Sequence, residues 1–243
     1  MKTYVIEIAA NDFNTASAAI EGGADRIELC SALSEGGLTP SYATIKKCRK
    51  AFNAQLFPII RPRAGDFLYN EAEFEIMRDD IKICKILECD GVVIGMLDKY
   101  GNVDKSRVSQ LINEAYPMDV TFHRAFDRCR DPFEAMEQLI DIGCQRILTS
   151  GQQTTAIKGT DLIASLIKKS DERIIIMPGS GIRPDNINDL AMNTGSVEFH
   201  SSLRSISQSK MDFRHPSFAG SEESYTQLTI DAEEVRNLRR QLK

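Results

Sequence analysis

Short apolar runs alternate with amphipathic stretches of helix length along this chain, and this alternation restricts the fold more than any other feature. The apolar runs predict eight strands, at 3–9, 25–30, 55–61, 91–96, 119–123, 145–150, 173–178 and 196–200. The helical stretches are 12–22, 41–52, 71–89, 104–115, 131–142, 159–169, 184–193 and 231–242. Eight β/α units predict a parallel sheet, and closure into a single (β/α)8 TIM-like barrel leaves no sheet edge. A doubly wound open sheet is the alternative.

The length of 243 residues suits one barrel domain spanning 1–243, since such barrels take about 250 residues. A weak repeat supports the regular series, because residues 23–27 resemble residues 143–147, each a helix end followed by a strand. We predict these helix N-caps: Asp12, Ser41, Asn70, Asp104, Asp131 and Thr160.

One stretch, 201–229, is too long for an ordinary connection between a strand and a helix. We predict a loop that crosses the barrel mouth or packs on a second subunit, which would make the protein a homo-oligomer. A partly mobile insertion is the alternative.

The charge balance restricts the partners. A net charge of −5 and a pI near 5.4 leave no basic face for the phosphates of a nucleic acid. The longest apolar runs fall far short of the ~20 residues of a membrane span, and the first residues lead directly into a strand without a secretory segment. The six cysteines form no Cys-x-x-Cys pair. These features predict a cytoplasmic protein with reduced thiols that binds neither nucleic acid nor membrane.

Strand parity predicts which polar side chains face the barrel axis. Where the aliphatic side chains of a strand face the helices, the residues between them point inward, and those near the carboxyl end reach the usual site. The resulting inward set is Glu7, Glu28, Arg61, His123, Glu198 and His200. Buried charges need partners, so these groups form either an ion-pair plug or a ligand site that supplies acid, base and anion clamp.

Two loops at the same end predict an anion site. The proline-braced segment 60–69 offers Arg61 and Arg63, whose guanidinium groups suit carboxylate or phosphate. The glycine-containing segment 177–182 and Ser201 with Ser202 follow strands seven and eight, where barrel enzymes commonly hold phosphate. The expected ligand is therefore a small anion.

Several of these segments resemble the CutC family, whose name refers to copper homeostasis. The matching segments are 26–33, 35–41, 60–69, 122–127, 146–151, 177–182 and 198–201. Ala64 and Gln152 depart from the family pattern, where glycine is usual. The resemblance implies a TIM-like barrel in the cytoplasm that takes part in copper homeostasis or binds copper.

We predict three groups of site residues from the parity, the loops and this resemblance. The catalytic residues are Glu7, Glu28, Arg61, His123, Asp127 and His200. The anion-binding residues are Arg63, Ser150, Gly179, Ser180, Gly181, Ser201 and Ser202. Cys30 is the predicted metal ligand, although Cu(I) prefers two or more soft ligands and only Cys30 faces the mouth from a strand end. The alternative to a copper role is an enzyme that acts on a small anionic, phosphorylated substrate.

Overall fold

The computed structural model describes residues 3–218 and 225–242, and the predicted order of elements is confirmed. The barrel strands are β1 (Val5–Ala10), β2 (Arg26–Leu29), β3 (Gln55–Pro58), β4 (Gly91–Ile94), β5 (Asp119–Phe122), β6 (Arg146–Thr149), β7 (Ile175–Pro178) and β8 (Glu198–Ser201). The helices are α1 (Phe13–Glu21), α2 (Tyr42–Ala51), α3 (Glu71–Ile86), α4 (Lys105–Ala115), α5 (Pro132–Asp141), α6 (Thr160–Ser170), α7 (Ile187–Thr194) and α8 (Ala232–Arg240). None of the described helices has the length and apolar character needed to cross a membrane.

The strands form two parallel four-stranded sheets, ordered β3-β2-β1-β8 and β4-β5-β6-β7. Single parallel bridges, from Ile59 to Val93 and from Gly179 to His200, join the sheets at both seams. The chain is thus a (β/α)8 barrel rather than an open sheet with two edges, and the carboxyl ends of its strands meet at one mouth.

Alternating parity divides the apolar side chains into two layers, as the sequence predicts. The strand residues Ile8 and Leu29 belong to the large core between the sheet and the helices. Inside the barrel, a smaller cluster contains Cys30, Phe57 and Val93. The inward positions that remain carry the polar side chains described below.

The predicted helix caps are confirmed except for one. Asp12 and Asn70 close capping boxes, and the side chains of Ser41, Asp104 and Asp131 accept from the first turns of their helices. Thr160 is instead the first residue of α6, and Gly159 is the N-cap. The Thr160 hydroxyl donates backward to the Ile157 carbonyl at 2.8 Å, so the prediction of this cap was wrong.

The stretch 201–229 is not the plain loop that was predicted. Ser201 ends β8, and β9 (Arg204–Gln208) pairs antiparallel with β10 (Thr226–Ile230). The pairing gives this long excursion hydrogen-bond partners for its backbone, which a loop would lack. Residues 219–224 lie outside the described residues.

Candidate functional site at the barrel mouth

A cavity of about 410 Å³ opens at the barrel mouth. The predicted residues that line it are Glu28, Arg61, His123, Ser180, Gly181, His200, Ser201 and Ser202. It is also lined by residues that the sequence analysis did not single out, among them Phe67, Arg124, Arg183 and Arg204. The mouth therefore combines one carboxyl group and two imidazoles with several guanidinium groups.

Beneath the cavity, two buried arginines bind two of the predicted carboxylates. Arg26 donates from Nε to Glu7 and from Nη2 to Glu198, both at 2.5 Å. Arg146 donates from Nε to the same Glu198 oxygen at 2.7 Å. The Arg26 guanidinium also lies 5.1 Å from the centroid of the Phe57 ring. Of the two arrangements expected from the sequence, ion pairing inside the barrel applies to Glu7 and Glu198, which lie one layer below the mouth.

Arg26 and Arg146 were not among the residues predicted from the sequence, although a signal for them was present. Both occupy the same place in the repeat of residues 23–27 and 143–147. Each precedes an outward-facing isoleucine, so its parity is inward, like that of Glu28.

Glu7 links this ionic layer to the mouth. His200 Nδ1 donates to its Oε1 at 2.7 Å, while Arg26 binds its other oxygen. Burial favours the neutral acid, but Arg26 and His200 outweigh burial and lower the Glu7 pKa to about 2. Glu7 is therefore an ionised group that fixes the His200 ring.

Glu28 and His200 form a loosely coupled pair that faces the cavity. The nearest atoms, Glu28 Oε2 and His200 Nε2, are 3.9 Å apart, which is too long for a hydrogen bond. Burial, reinforced by the Glu7 charge, raises the pKa of Glu28 to about 7. Burial opposes protonation of His200, but Glu28 and Glu7 raise its pKa. Glu28 can therefore gain or lose a proton near neutral pH, beside an imidazole whose protonated form the two carboxyl groups favour.

The guanidinium group of Arg61 binds loops rather than Glu28. Its Nη1 donates to the carbonyls of Glu35 and Gly37 at 2.7 and 3.0 Å, and its Nη2 donates to the Gly65 carbonyl at 2.9 Å. Arg61 therefore ties together the loops after β2 and β3, and its terminal nitrogens are largely occupied.

Arg63 lies away from the cavity. It donates to Glu73 at 2.6 Å and to Asp66 at 2.9 Å, and its guanidinium stacks 5.1 Å from the centroid of the Tyr69 ring. The structure does not bring this predicted anion ligand to the mouth, because Arg63 stabilises the outer side of its own loop.

Asp127 and Ser150 form a separate buried cluster beside the mouth. The carboxylate of Asp127 accepts from Thr149 Oγ1 at 2.6 Å, from the Ser150 hydroxyl at 2.9 Å and from Arg124 Nε at 3.0 Å. Neither Asp127 nor Ser150 lines the cavity. They orient Arg124, which does.

The loop after β7 supplies the rim of the cavity. Ser180 and Gly181 both have left-handed backbones, with φ of +84° and +74°. No acceptor among the described residues takes the backbone N–H of Gly181 or of Ile182. The hydroxyls are engaged, since Ser180 donates to Thr154 at 3.0 Å and Ser201 donates to Ile182 at 2.8 Å. The rim therefore offers backbone donors to an anion more than hydroxyl donors.

Gly179 lies under this rim and does not line the cavity. A Cβ there would overlap Leu148 and approach the Cβ of His200 to 3.3 Å. Its lack of a side chain lets β7 and β8 come together, so it acts through packing.

The donors near Cys30 do not fit Cu(I). Its buried thiol donates to the Ala10 carbonyl at 3.2 Å, and burial raises its pKa well above the usual range. Its apolar neighbours include Phe57, Ile59 and Val93, none of which is a ligand. Among the described residues, the group of three or more His, Cys, Asp or Glu side chains close enough to hold a metal is Glu7, Glu28 and His200, with ligand atoms within 4.8 Å.

Comparisons with known proteins agree on one family. The profile of the CutC family matches residues 4–205. A CutC protein of Parabacteroides distasonis is 54% identical over 213 residues, covering 87% of each chain, and one of Chromobacterium violaceum is 45% identical over 241 residues, covering 98% of each. The crystal structure of a Streptococcus agalactiae CutC, whose name suggests a role in copper homeostasis, is 30% identical with a TM-score of 0.79, covering 82% of this chain and 99% of that one. The chain belongs to the CutC family.

Proposed function

We propose that this protein is an enzyme that acts on a small anionic, phosphorylated substrate in the mouth cavity, with Glu28 and His200 as the proton-transferring pair. The observation that most supports this proposal concerns Glu28. Its buried carboxyl lines the cavity, and no group of the described residues donates a hydrogen bond to it. A buried carboxyl that receives no hydrogen bond is costly for stability when it ionises, which favours a role toward a ligand.

The rim supports the anionic character of the substrate. Arg183 and Arg204 line the cavity and are partly engaged, by Glu234 at 3.6 Å and by the Leu33 carbonyl at 3.2 Å. Together with the N–H groups of Gly181 and Ile182 they offer charge and directed donors, a combination that suits phosphate.

Inorganic phosphate should therefore raise the melting temperature. At ten times its dissociation constant, phosphate stabilises the native state by about 1.4 kcal/mol, or about 3–5 °C for a chain of this size. Gly181→Asp places a negative charge at the rim, so we expect this variant to lose the increment. The measurement is thermal unfolding at increasing phosphate and constant ionic strength.

Gly143→Asp is the matched control for this experiment. Gly143 also has a left-handed backbone, with φ of +80°, and no atom lies within 4 Å of a Cβ built there. The Gly143→Asp variant should keep the full increase in melting temperature with phosphate, although it shares the strain of a non-glycine residue in a left-handed backbone. The proposed anion site is contradicted if phosphate does not raise the melting temperature of the wild type, or if it raises the melting temperatures of the two variants equally.

A metal role is the second candidate, favoured by the grouping of Glu7, Glu28 and His200. Two carboxylates and an imidazole suit a divalent cation better than Cu(I), which prefers sulfur. Arg26 already neutralises Glu7, so a cation there would meet a positive neighbour. This is why we place the enzyme proposal ahead of copper binding.

Replacing Cys30 with Ser should leave the affinity for Cu(I) unchanged. The buried thiol is protonated and its neighbours are apolar, so it offers Cu(I) one poor ligand. The measurement is titration of both proteins with Cu(I) against a competing chelator. Tight stoichiometric binding by the wild type that disappears in Cys30→Ser contradicts this expectation and restores the copper role to the mouth.

We also propose a cytoplasmic location. All six cysteines are buried free thiols, including Cys84 and Cys89, which lie close enough for Cys89 to raise the pKa of Cys84. Neighbouring reduced thiols are typical of a reducing compartment.

A further inference from the structure

The imidazole of His123 is held in one orientation and one tautomer. The Ala125 backbone N–H donates to its Nδ1 at 3.1 Å, so the proton of the neutral ring is on Nε2. The Phe67 ring lies 4.9 Å away, measured between centroids. On another side a Cβ at Gly95 would overlap Nδ1 and Cε1, so only glycine leaves room for the ring.

The remaining nitrogen of His123 has no partner. Nε2 is buried and forms no hydrogen bond with any described residue, although the side chain lines the cavity. A buried donor without an acceptor is destabilising, so this N–H is expected to meet its acceptor in a ligand. Burial and the nearby charge of Arg61 lower the His123 pKa to about 3, which keeps the ring neutral.

Glu28 supplies the complementary group in the same cavity. Its carboxyl receives no hydrogen bond from the described residues, and the nearest basic nitrogen, His200 Nε2, lies 3.9 Å away, so the carboxyl is available to accept a proton. A carboxylate base and a neutral imidazole donor that line one cavity are a combination suited to removing a proton next to a carbonyl group. The donor stabilises the oxygen on which negative charge develops.

We propose that the substrate is a small phosphorylated carbonyl compound, and that its reaction begins with removal of a proton from the carbon next to the carbonyl group. Glu28 is the base, and His123 Nε2–H donates to the carbonyl oxygen. This inference rests on the proposed function, because it takes the rim as the phosphate site.

The substrate and the side chains of Glu28 and His123 account for every proton and electron that moves in this step. The Glu28 carboxylate takes the proton, the electrons of the C–H bond form a C=C bond, and the carbonyl oxygen becomes an enolate oxygen that accepts from His123. The Glu28 carboxyl then returns a proton to the same carbon and the carbonyl group re-forms, so this step by itself exchanges the hydrogen on that carbon and leaves the substrate otherwise unchanged. No oxidant, reductant or co-reactant is required.

The test compares two phosphate monoesters by calorimetry. Phosphoglycolohydroxamate carries an ionisable mimic of the enolate, whereas glycerol 3-phosphate has no carbonyl group. We expect the wild type to bind the hydroxamate roughly 10- to 100-fold more tightly, as one hydrogen bond to a charged oxygen provides. His123→Phe keeps the aromatic contact with Phe67 and should abolish this preference while retaining the affinity for inorganic phosphate.

A second variant and a spectroscopic measurement distinguish the loss of this hydrogen bond from a folding defect. His123→Gln retains a donor and should keep part of the preference, and nitrogen NMR of the wild type should show an Nε2–H neutral His123 from pH 5 to 8. Equal affinity for the two esters with intact phosphate binding, or protonation of His123 in that range, overturns this inference and leaves the proposed function standing. Failure to bind phosphate overturns both.

Discussion

Replacing Arg26 with Met should lower the free energy of unfolding by about 3–5 kcal/mol, because it removes one member of a buried ionic network. Arg26 is 1% exposed and is bound to both Glu7 and Glu198. The methionine fills part of the volume beside Phe57 but leaves two carboxylates with less compensating charge. Urea denaturation at pH 7 measures the loss.

Arg173→Met is the surface control for this measurement. Arg173 binds Glu137 through two hydrogen bonds of 2.7 and 2.8 Å, but both side chains are about 40% exposed. An ion pair in contact with solvent contributes about 1 kcal/mol or less. A loss for Arg26→Met no larger than that of the control would show that the buried network is not a major source of stability.

The double variant Arg26→Met, Glu7→Gln separates the lost attraction from the stranded charge. If the penalty arises from an uncompensated Glu7 carboxylate, neutralising Glu7 should recover part of the stability lost by the single variant. If the penalty arises from lost packing alone, the second change should add to the first.

The barrel and its inward polar set were predictable from the sequence because both depend on periodicity. Parallel strands buried on both faces, each followed by an amphipathic helix, admit few arrangements. Once Ile27 and Leu29 are placed toward the helices, Glu28 must point toward the axis, and the structure confirms this placement. The same argument brings His123 and His200 to the mouth.

Pairing inside the barrel was harder to predict, since parity gives a side and not a partner. Glu28 and Arg61 share the cavity, yet Arg61 donates to loop carbonyls and Glu28 receives no hydrogen bond. Long arginine side chains reach several acceptors, and the choice depends on loop backbones whose conformations the residue pattern does not determine. For the same reason Arg63 turns outward and Ser150 binds Asp127.

The contribution of β9 to the rim of the cavity could not be predicted from the sequence pattern. Arg204 reaches it from β9, at the start of a stretch without helical or strand periodicity strong enough to reveal a paired ribbon. Exposed two-stranded ribbons bury little apolar surface, so their sequences carry a weak signal.

Glu28→Gln should stabilise the protein relative to the wild type as the pH rises, which would establish Glu28 as a proton carrier near neutrality. The Glu28 pKa is raised to about 7 in the folded protein, so the native state favours the protonated acid. The stabilisation that comes from this raised pKa is complete below the pKa of Glu28 in the unfolded chain. It declines as the pH rises and is lost above pH 7. Glutamine does not ionise. The free energy of unfolding of the variant minus that of the wild type should therefore increase by about 2–3 kcal/mol between pH 5 and 8.5.

Glu75→Gln, at an exposed position of α3, should show a difference that stays constant over this range. A constant difference for Glu28→Gln as well would mean that the carboxyl ionises in the folded protein as it does in the unfolded chain, and would remove Glu28 from the proposed proton-transferring pair.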